Sequence, residues 1–128
     1  SGILAVQAAL LGAEKVLAMD FDPVAVKAAT ENVALNHLEN KISVKHSDLL
    51  KKADIKGDII IANIVADILI RMMPDVGAYL APDGVLLLSG IVEERCADVI
   101  ASADANGYSV ETRLPDNGWC ALALRRKR

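Results

Sequence analysis

Continuous apolar runs, each closed by a polar residue, recur along the chain between segments of helical periodicity. The clearest run is Ile59-Ile60-Ile61-Ala62, which lies between Asp58 and Asn63. Such runs are typical of strands in a parallel sheet, because helices bury both faces of that sheet. The pattern therefore predicts an α/β fold with a doubly wound sheet and helices on both of its faces. The predicted strands cover residues 15–20, 42–46, 58–62 and 85–90, with the second of them near the sheet edge.

Segments with apolar residues at helical spacing separate the predicted strands. Asp22 and Pro23 suit the cap and the first position of one such helix, and Pro74 is expected to kink or split another. Two alternating segments near the end flank a Pro-Asp-Asn-Gly turn and predict an antiparallel hairpin. Residues 82–84 are predicted to form a turn. The predicted helices cover residues 1–11, 24–37, 65–80 and 93–106, and the hairpin strands cover residues 108–114 and 119–124.

Composition and charge limit the classes of partner. The chain has 128 residues, 53% of them hydrophobic, which is enough for one globular domain with its own core. The net charge is −3, and the basic tail of residues 125–128 contributes +4, so the remainder carries −7. An acidic body with 3% aromatic residues argues against direct nucleic-acid binding, and the tail is predicted to be a solvated end. No apolar run is long enough to predict a membrane span.

The cysteines and histidines form no pattern that indicates a metal site. Cys96 and Cys120 match neither a disulfide framework nor a zinc spacing, so a reducing cytoplasmic location is predicted. His37 and His46 have no neighbouring cysteine or carboxylate pattern and are interpreted as solvated or capping residues. The sequence therefore predicts no metal ligand.

Polar residues at predicted strand ends are the candidate site residues, because ligands of open α/β sheets bind beyond the carboxyl ends of the strands. Asp20 ends the strand of residues 15–20 and is placed to accept two hydrogen bonds from ribose hydroxyls. The neighbouring Asp22 is explained as a helix cap, whereas Asp20 is not. Asn63 offers one carbonyl acceptor and two N–H donors to the crevice. The alternative is that Asn63 caps the following helix, and its own stretch slightly favours that alternative.

Two further candidate positions are equally compatible with an ordinary structural role. Asp48 follows the strand of residues 42–46 and either contacts a ligand or forms a turn. Ser1 and Gly2 stand at a predicted helix N-terminus, where free N–H groups favour an anionic group, but a plain helix start has the same pattern.

Short motifs that follow one another along the chain carry a resemblance to a known family. They are Ser1-Gly2-Ile3-Leu4-Ala5, Met19-Asp20-Phe21-Asp22-Pro23, Asn63-Ile64-Val65-Ala66, Leu88-Ser89-Gly90-Ile91 and Gly118-Trp119. With the terminal hairpin, they resemble the class I S-adenosylmethionine-dependent methyltransferases. Within that superfamily the chain is most similar to the PrmA family, bacterial methyltransferases of the large-subunit ribosomal protein eleven. The resemblance extends over essentially the whole chain.

The resemblance implies a role for each candidate residue. Asp20 would hold the cofactor's ribose, and Gly2, with Ser1, would belong to the loop near its methionine portion. Asp48 falls where many relatives contact the adenine, and Asn63 would face the methyl group and the incoming amine. The implied activity is transfer of methyl groups from S-adenosylmethionine to lysine side chains and the N-terminal amine of a large-subunit ribosomal protein. The implied full-length enzyme is a monomer.

The resemblance also implies that residues 1–128 are an N-terminally truncated catalytic domain. The family's first strand and the leading glycines of its cofactor loop would precede Ser1. That strand would lie between the strands of residues 16–19 and 59–61, which are therefore expected to lack a shared neighbour. Unpaired backbone groups on both strands would favour aggregation and weak cofactor binding.

The sequence is also compatible with proteins of other classes. An acid after the second strand also binds NAD ribose, so a nicotinamide-dependent Rossmann oxidoreductase is one alternative. A non-catalytic interaction module with the same fold is another. Base and glutamine methylases usually carry Asn-Pro-Pro-aromatic at this position, whereas Ile64-Val65-Ala66 follows Asn63 and offers no ring to stack on a flipped base. A protein amine is therefore the favoured substrate.

Overall fold

The computed structural model describes residues 15–20, 22–46 and 56–128. These residues form three α-helices and one six-stranded sheet. None of the helices in these ranges is long and apolar enough to cross a membrane. The strands are β1 (Val16–Asp20), β2 (Ile42–His46), β3 (Gly57–Asn63), β4 (Leu80–Val92), β5 (Tyr108–Asp116) and β6 (Trp119–Arg126). The helices are α1 (Pro23–Leu35), α2 (Ala66–Met72) and α3 (Cys96–Ala105), with 3-10 helices at Val76–Tyr79 and Glu93–Arg95.

The sheet order confirms the predicted architecture. The strands lie in the order β2-β1-β3-β4-β6-β5, and the first four of these pair in parallel. β6 pairs antiparallel with both β4 and β5, which confirms the terminal hairpin. Its turn residues Asn117 and Gly118 both have positive φ angles, 48° and 87°. Asn-Gly is among the sequences that such a two-residue turn strongly favours.

β1 and β3 pair directly with each other, so the expectation that both would leave their backbone groups unpaired is wrong for this structure. They pair in register from Val16 opposite Ile59 to Asp20 opposite Asn63. At the start of the pair, the Asp58 amide donates to the Lys15 carbonyl at 2.8 Å, and the Lys15 amide donates to Asp58 Oδ2 at 3.0 Å. Backbone groups that would otherwise be unpaired therefore bond to each other, which avoids the cost of burying them unsatisfied.

Alternate residues of the central strands are buried on opposite faces of the sheet. On one face, Leu17, Ile60 and Leu86 belong to a core that includes residues of α2 and α3. On the other face, Val16 and Ile61 belong to a smaller cluster with Val33 of α1. Because successive side chains of a strand point to opposite faces, burial on both sides requires a continuous apolar run. This confirms the interpretation of the apolar runs as doubly buried strands.

The helices predicted over residues 24–37, 65–80 and 93–106 are confirmed with changes of boundary, whereas one predicted turn is wrong. The helix predicted over residues 1–11 lies outside the described residues. α1 begins at Pro23 and has the predicted Asp22 cap, whose Oδ1 accepts a hydrogen bond from the Val24 amide at 2.9 Å. The helix predicted over residues 65–80 is split around Pro74 into α2 and a 3-10 helix. Residues 82–84 lie within β4, where the pairing with β3 shifts register between Gly57 and Ile59. Residues 82–84 are therefore an irregular part of β4 and not a separate turn.

The basic tail is a solvated end only at Lys127 and Arg128, whereas Arg125 and Arg126 lie in β6 and are partly buried. The Arg126 guanidinium donates to the carbonyls of Ala81 at 2.6 Å, Gly77 at 2.8 Å and Leu80 at 2.8 Å. The Lys127 amide donates to the carbonyl of Gly107 at 2.8 Å. Arg126 thus ties the last strand to the start of β4, because its fork of donors reaches several carbonyls at once.

Cys96 and Cys120 form a disulfide, which corrects the expectation that they match no disulfide pattern. Their Cα atoms are 6.6 Å apart although 24 positions separate them in the sequence. Both residues are buried, at 0% and 3% exposure. The pairing joins the first residue of α3 to the second residue of β6, so it depends on helix–sheet packing rather than on the spacing of the cysteines.

Candidate active site

The carboxyl ends of three parallel strands bring Asp20, Asn63 and Ser89 side by side. Asp20 ends β1 and is opposite Asn63, which ends β3. Asn63 in turn is opposite Ser89, near the end of β4. This edge is where open α/β sheets bind ligands. The structure therefore unites the two strongest sequence candidates, Asp20 and Asn63, and adds Ser89 to them.

Hydrogen bonds join these three side chains in a row. Asn63 Nδ2 donates to Asp20 Oδ2 at 3.1 Å, and Ser89 Oγ donates to Asn63 Oδ1 at 3.2 Å. The Asp22 amide donates to the other carboxylate oxygen of Asp20 at 2.9 Å. An ionised carboxylate only accepts hydrogen bonds, so the NH₂ group of Asn63 must face Asp20 and its carbonyl oxygen must face Ser89.

The alternative that Asn63 caps the following helix is wrong. Val65 occupies the cap position of α2, and no side chain makes a capping hydrogen bond there. The side chain of Asn63 is exposed at the sheet edge and bonds to residues of the neighbouring strands instead. Pairing of β3 with β1 and β4 places suitable partners on both sides of the amide, and a single stretch of sequence contains no information about them.

Asp20 keeps free acceptor capacity for a ligand. A carboxylate has about four lone-pair positions, and the described residues use one on each oxygen. Asp20 is also only partly buried. The unused positions can accept further hydrogen bonds from hydroxyl groups of a ligand. The other predicted cofactor contacts, Gly2 with Ser1 and Asp48, lie outside the described residues.

Gly90 adjoins the row and was not identified as a site residue from sequence. Its φ angle is +78°, a conformation that side-chain-bearing residues rarely adopt. A Cβ atom at this position would lie 2.7 Å from Asn63 Oδ1 and 3.2 Å from the amide nitrogen of Ile64. Glycine therefore allows β4 to pass close to the Asn63 amide. The one sequence signal was a Ser-Gly pair at the end of a buried strand.

A groove of about 480 Å³ opens beside the row. Asn63, Ser89 and Gly90 line one part of it, and the hairpin residues Leu114, Asp116 and Trp119 line another. Leu114 is 62% exposed and Trp119 is 53% exposed, so both present apolar surface to solvent. Sequence reasoning missed this contribution of the hairpin, because only the antiparallel pairing of β6 with β4 brings the turn to the carboxyl edge of β3.

The fold is that of the class I methyltransferases. A solved structure of a putative methyltransferase from Thermoplasma acidophilum superimposes with a TM-score of 0.71, covering 99% of this chain and 64% of that one. The two sequences are only 15% identical, so this likeness concerns the fold alone.

The chain belongs to the ribosomal protein L11 methyltransferase (PrmA) family. The sequence model of that family matches residues 1–127. The ribosomal protein L11 methylase of Lactobacillus delbrueckii subsp. bulgaricus has a TM-score of 0.81 and 35% identity, covering 99% of this chain and 65% of that one. The ribosomal protein L11 methyltransferase of Heliobacterium modesticaldum is 45% identical over 126 residues. These residues are 98% of this chain and 40% of that relative, so the chain spans well under half of the relative's length.

Proposed function

We propose that residues 1–128 are a catalytic methyltransferase domain that transfers methyl groups from S-adenosylmethionine to amino groups of ribosomal protein L11. The observation that carries this proposal is the hydrogen-bonded row of Asp20, Asn63 and Ser89 at the carboxyl edge of the sheet, beside an open groove. The family of the chain supports methyl transfer over a nicotinamide-dependent reaction and over a non-catalytic module. Lysine side chains and the N-terminal amine are the proposed acceptors.

Asp20 is proposed to hold the cofactor through its ribose hydroxyls. Its unused lone pairs and partial exposure support this assignment. Gly2, with Ser1, is proposed to lie near the methionine portion and Asp48 near the adenine, as the family resemblance implies. In this arrangement Asp20 links the cofactor's ribose directly to Asn63, which it already contacts.

S-adenosylmethionine carries the methyl group that it supplies on a positively charged sulfur. The lone pair of the amine forms the new N–C bond while the electrons of the S–C bond return to sulfur. Only a neutral amine has that lone pair, and a free lysine amine has a pKa of about 10.4. Its proton is therefore proposed to pass to water on binding. Asn63 Oδ1 has two lone pairs, of which Ser89 uses one. The other is proposed to accept an N–H bond from the substrate amine and to aim its nitrogen.

The groove is proposed to receive the amine-bearing segment of the substrate. Leu114 and Trp119 offer apolar surface to the aliphatic stem of a lysine, and the exposed Asp116 offers a negative charge to a basic segment. The acidic body of the chain suits a basic protein partner in the same way. Because ribosomal proteins are synthesised in the cytoplasm, we place the reaction there, with a monomeric enzyme.

The test is transfer of a labelled methyl group from S-adenosylmethionine to purified ribosomal protein L11, with Asn63→Ala as the variant. Loss of the aiming hydrogen bond should lower the methylation rate about a hundredfold. The melting temperature should remain nearly unchanged, because the Asn63 side chain is exposed. Asn40→Ala, at an exposed asparagine in the turn before β2, is the matched control and should retain the full rate. An Asn63→Ala variant that keeps its rate would contradict the proposed role.

A further inference from the structure

The hydroxyl of Ser89 does not contribute to the pairing of the strands. Ser89 joins β4 to the segment after β3 through its backbone, since its carbonyl accepts the Ile64 amide at 3.2 Å. Its hydroxyl instead donates to Asn63 Oδ1 at 3.2 Å. Removal of the hydroxyl would therefore leave the backbone contact in place and would free one side of the Asn63 amide.

Asn63 is held from two sides, and the two contacts have different consequences. Asp20 decides which end of the amide faces β1, because its carboxylate accepts only from the NH₂ group. Ser89 restrains the position of the carbonyl oxygen and leaves one of its lone pairs unused. The Asp20 carboxylate also polarises the amide, since hydrogen bonds in a chain strengthen one another. Asn63 Oδ1 is consequently a fixed and electron-rich acceptor.

Such an acceptor favours the transition state over the bound substrate. A substrate nitrogen gains positive charge as it becomes methylated, so the N–H bond that it donates becomes stronger during the reaction. A preorganised acceptor then stabilises the developing charge without having to reorient. An amide that rotates freely would first have to be ordered, and part of that advantage would be lost.

Gly90 provides the space that this arrangement needs. A Cβ atom there would stand 2.7 Å from Asn63 Oδ1, which is closer than a Cβ atom approaches an oxygen. The positive φ angle of +78° would also be strained with any other residue. The Ser89 hydroxyl therefore holds Asn63 Oδ1 in place, and Gly90 leaves room for this oxygen because it has no side chain.

We propose that Ser89 is a positioning residue for methyl transfer, whose hydroxyl aims the Asn63 carbonyl at the substrate amine, and that Gly90 is required to keep this oxygen in place. The inference rests on the proposed function and extends it to two residues that act through Asn63.

The experiment compares Ser89→Ala with Ser89→Thr, which restores a hydroxyl. Ser89→Ala should lower the single-turnover rate of methyl transfer to ribosomal protein L11 about tenfold. The Kd for S-adenosylmethionine should change less than about twofold, and the melting temperature should fall less than about 4 °C. Ser89→Thr should recover most of the rate. Gly90→Ala should lower the rate at least as much as Ser89→Ala, with an additional loss of stability from its φ angle.

A double-mutant comparison shows whether Ser89 acts through Asn63 or independently of it. If Ser89 acts through Asn63, Ser89→Ala should have almost no further effect on the rate in an Asn63→Ala background. Equal losses in both backgrounds would overturn the proposal, and so would a full rate in Ser89→Ala. Failure of the proposed function has a different signature, because Asn63→Ala itself would then keep its rate.

An NMR measurement tests the same idea without any turnover. The side-chain amide protons of Asn63 should exchange with solvent more quickly in Ser89→Ala than in the unmodified protein, because one restraint on the amide is gone. The side-chain amide of Asn40 is the internal control. Identical exchange of the Asn63 amide in the two proteins would show that the hydroxyl does not restrain it.

Discussion

Replacement of Asp20 tests the assignment of the cofactor site and separates it from the local structure. In Asp20→Ala both carboxylate oxygens disappear, and with them the contacts to Asn63 Nδ2 and to the Asp22 amide. The ribose hydroxyls would lose their acceptors as well. Asp20→Asn keeps the shape but presents an NH₂ group where an acceptor stood, so at most one oxygen remains available to the ribose.

The expected loss of affinity follows from the number of free lone pairs. A hydrogen bond to a charged group contributes about 1.5–3 kcal/mol. Loss of one such bond to the ribose corresponds to a rise in Kd of roughly ten- to a hundredfold, and loss of two to more than that. Folding should change little, because Asp20 is only partly buried, its partners Asn63 and Asp22 are exposed, and their bonds are exposed to water. Asp20→Ala should therefore weaken cofactor binding more than Asp20→Asn does.

Calorimetric titration with S-adenosylmethionine and urea denaturation measure the two effects separately. Asp22→Ala is the matched control, because this neighbouring acid caps α1 by accepting the Val24 amide at 2.9 Å. That control should lower the free energy of unfolding by about 1 kcal/mol and leave the Kd nearly unchanged. The reasoning would be refuted if Asp20→Ala bound the cofactor normally, or if Asp22→Ala weakened binding as much as Asp20→Ala.

Two further predictions concern contacts that hold the C-terminal strands in place. Arg126→Ala should lower the free energy of unfolding by about 2–4 kcal/mol, because it removes several part-buried charge-assisted bonds to carbonyls. Arg125→Ala, which loses an exposed pair with Glu111 and an exposed bond to the Asp83 carbonyl, should cost less than about 1 kcal/mol in the same urea denaturation. Equal losses for the two arginines would contradict the first prediction. Reduction of the Cys96–Cys120 disulfide should lower the free energy of unfolding by up to about 3.5 kcal/mol, given a closed loop of some 24 residues. Free thiols can be counted by alkylation after protein purified without reductant is denatured. Two free thiols would contradict the disulfide prediction.

Local sequence was sufficient for the elements whose cause is local. The apolar run before Asn63 predicts a doubly buried strand because each face of the strand needs apolar side chains. Asp22 and Pro23 predict the start of α1 because a cap and a fixed φ angle act within one turn. The Asn117-Gly118 turn predicts the hairpin because both residues tolerate positive φ. Each of these predictions depends on residues that are close together in the chain.

The candidate site could be predicted only in part. Asp20 and Asn63 were recognisable as polar residues at strand ends, and the parallel sheet places both at one edge. Their direct hydrogen bond was not predictable, because it requires β1 and β3 to be immediate neighbours. The contributions of Ser89, Gly90 and the hairpin residue Trp119 were missed for the same reason. Each depends on which strand lies beside which, and the apolar pattern of a strand does not specify its neighbour.

The sequence by itself determined the class of fold, the order of helices and strands, and the polar residues available at the ends of the strands. Only the tertiary structure decided that β1 pairs with β3, that Asn63 bonds sideways rather than capping α2, and that Cys96 meets Cys120. It also decided that Arg126 is tied to carbonyls near the start of β4 rather than to solvent. The physical reason is the range of the interactions. Side-chain periodicity, capping and turn conformation act over a few residues, whereas strand order and helix packing minimise unpaired and exposed groups over the whole chain.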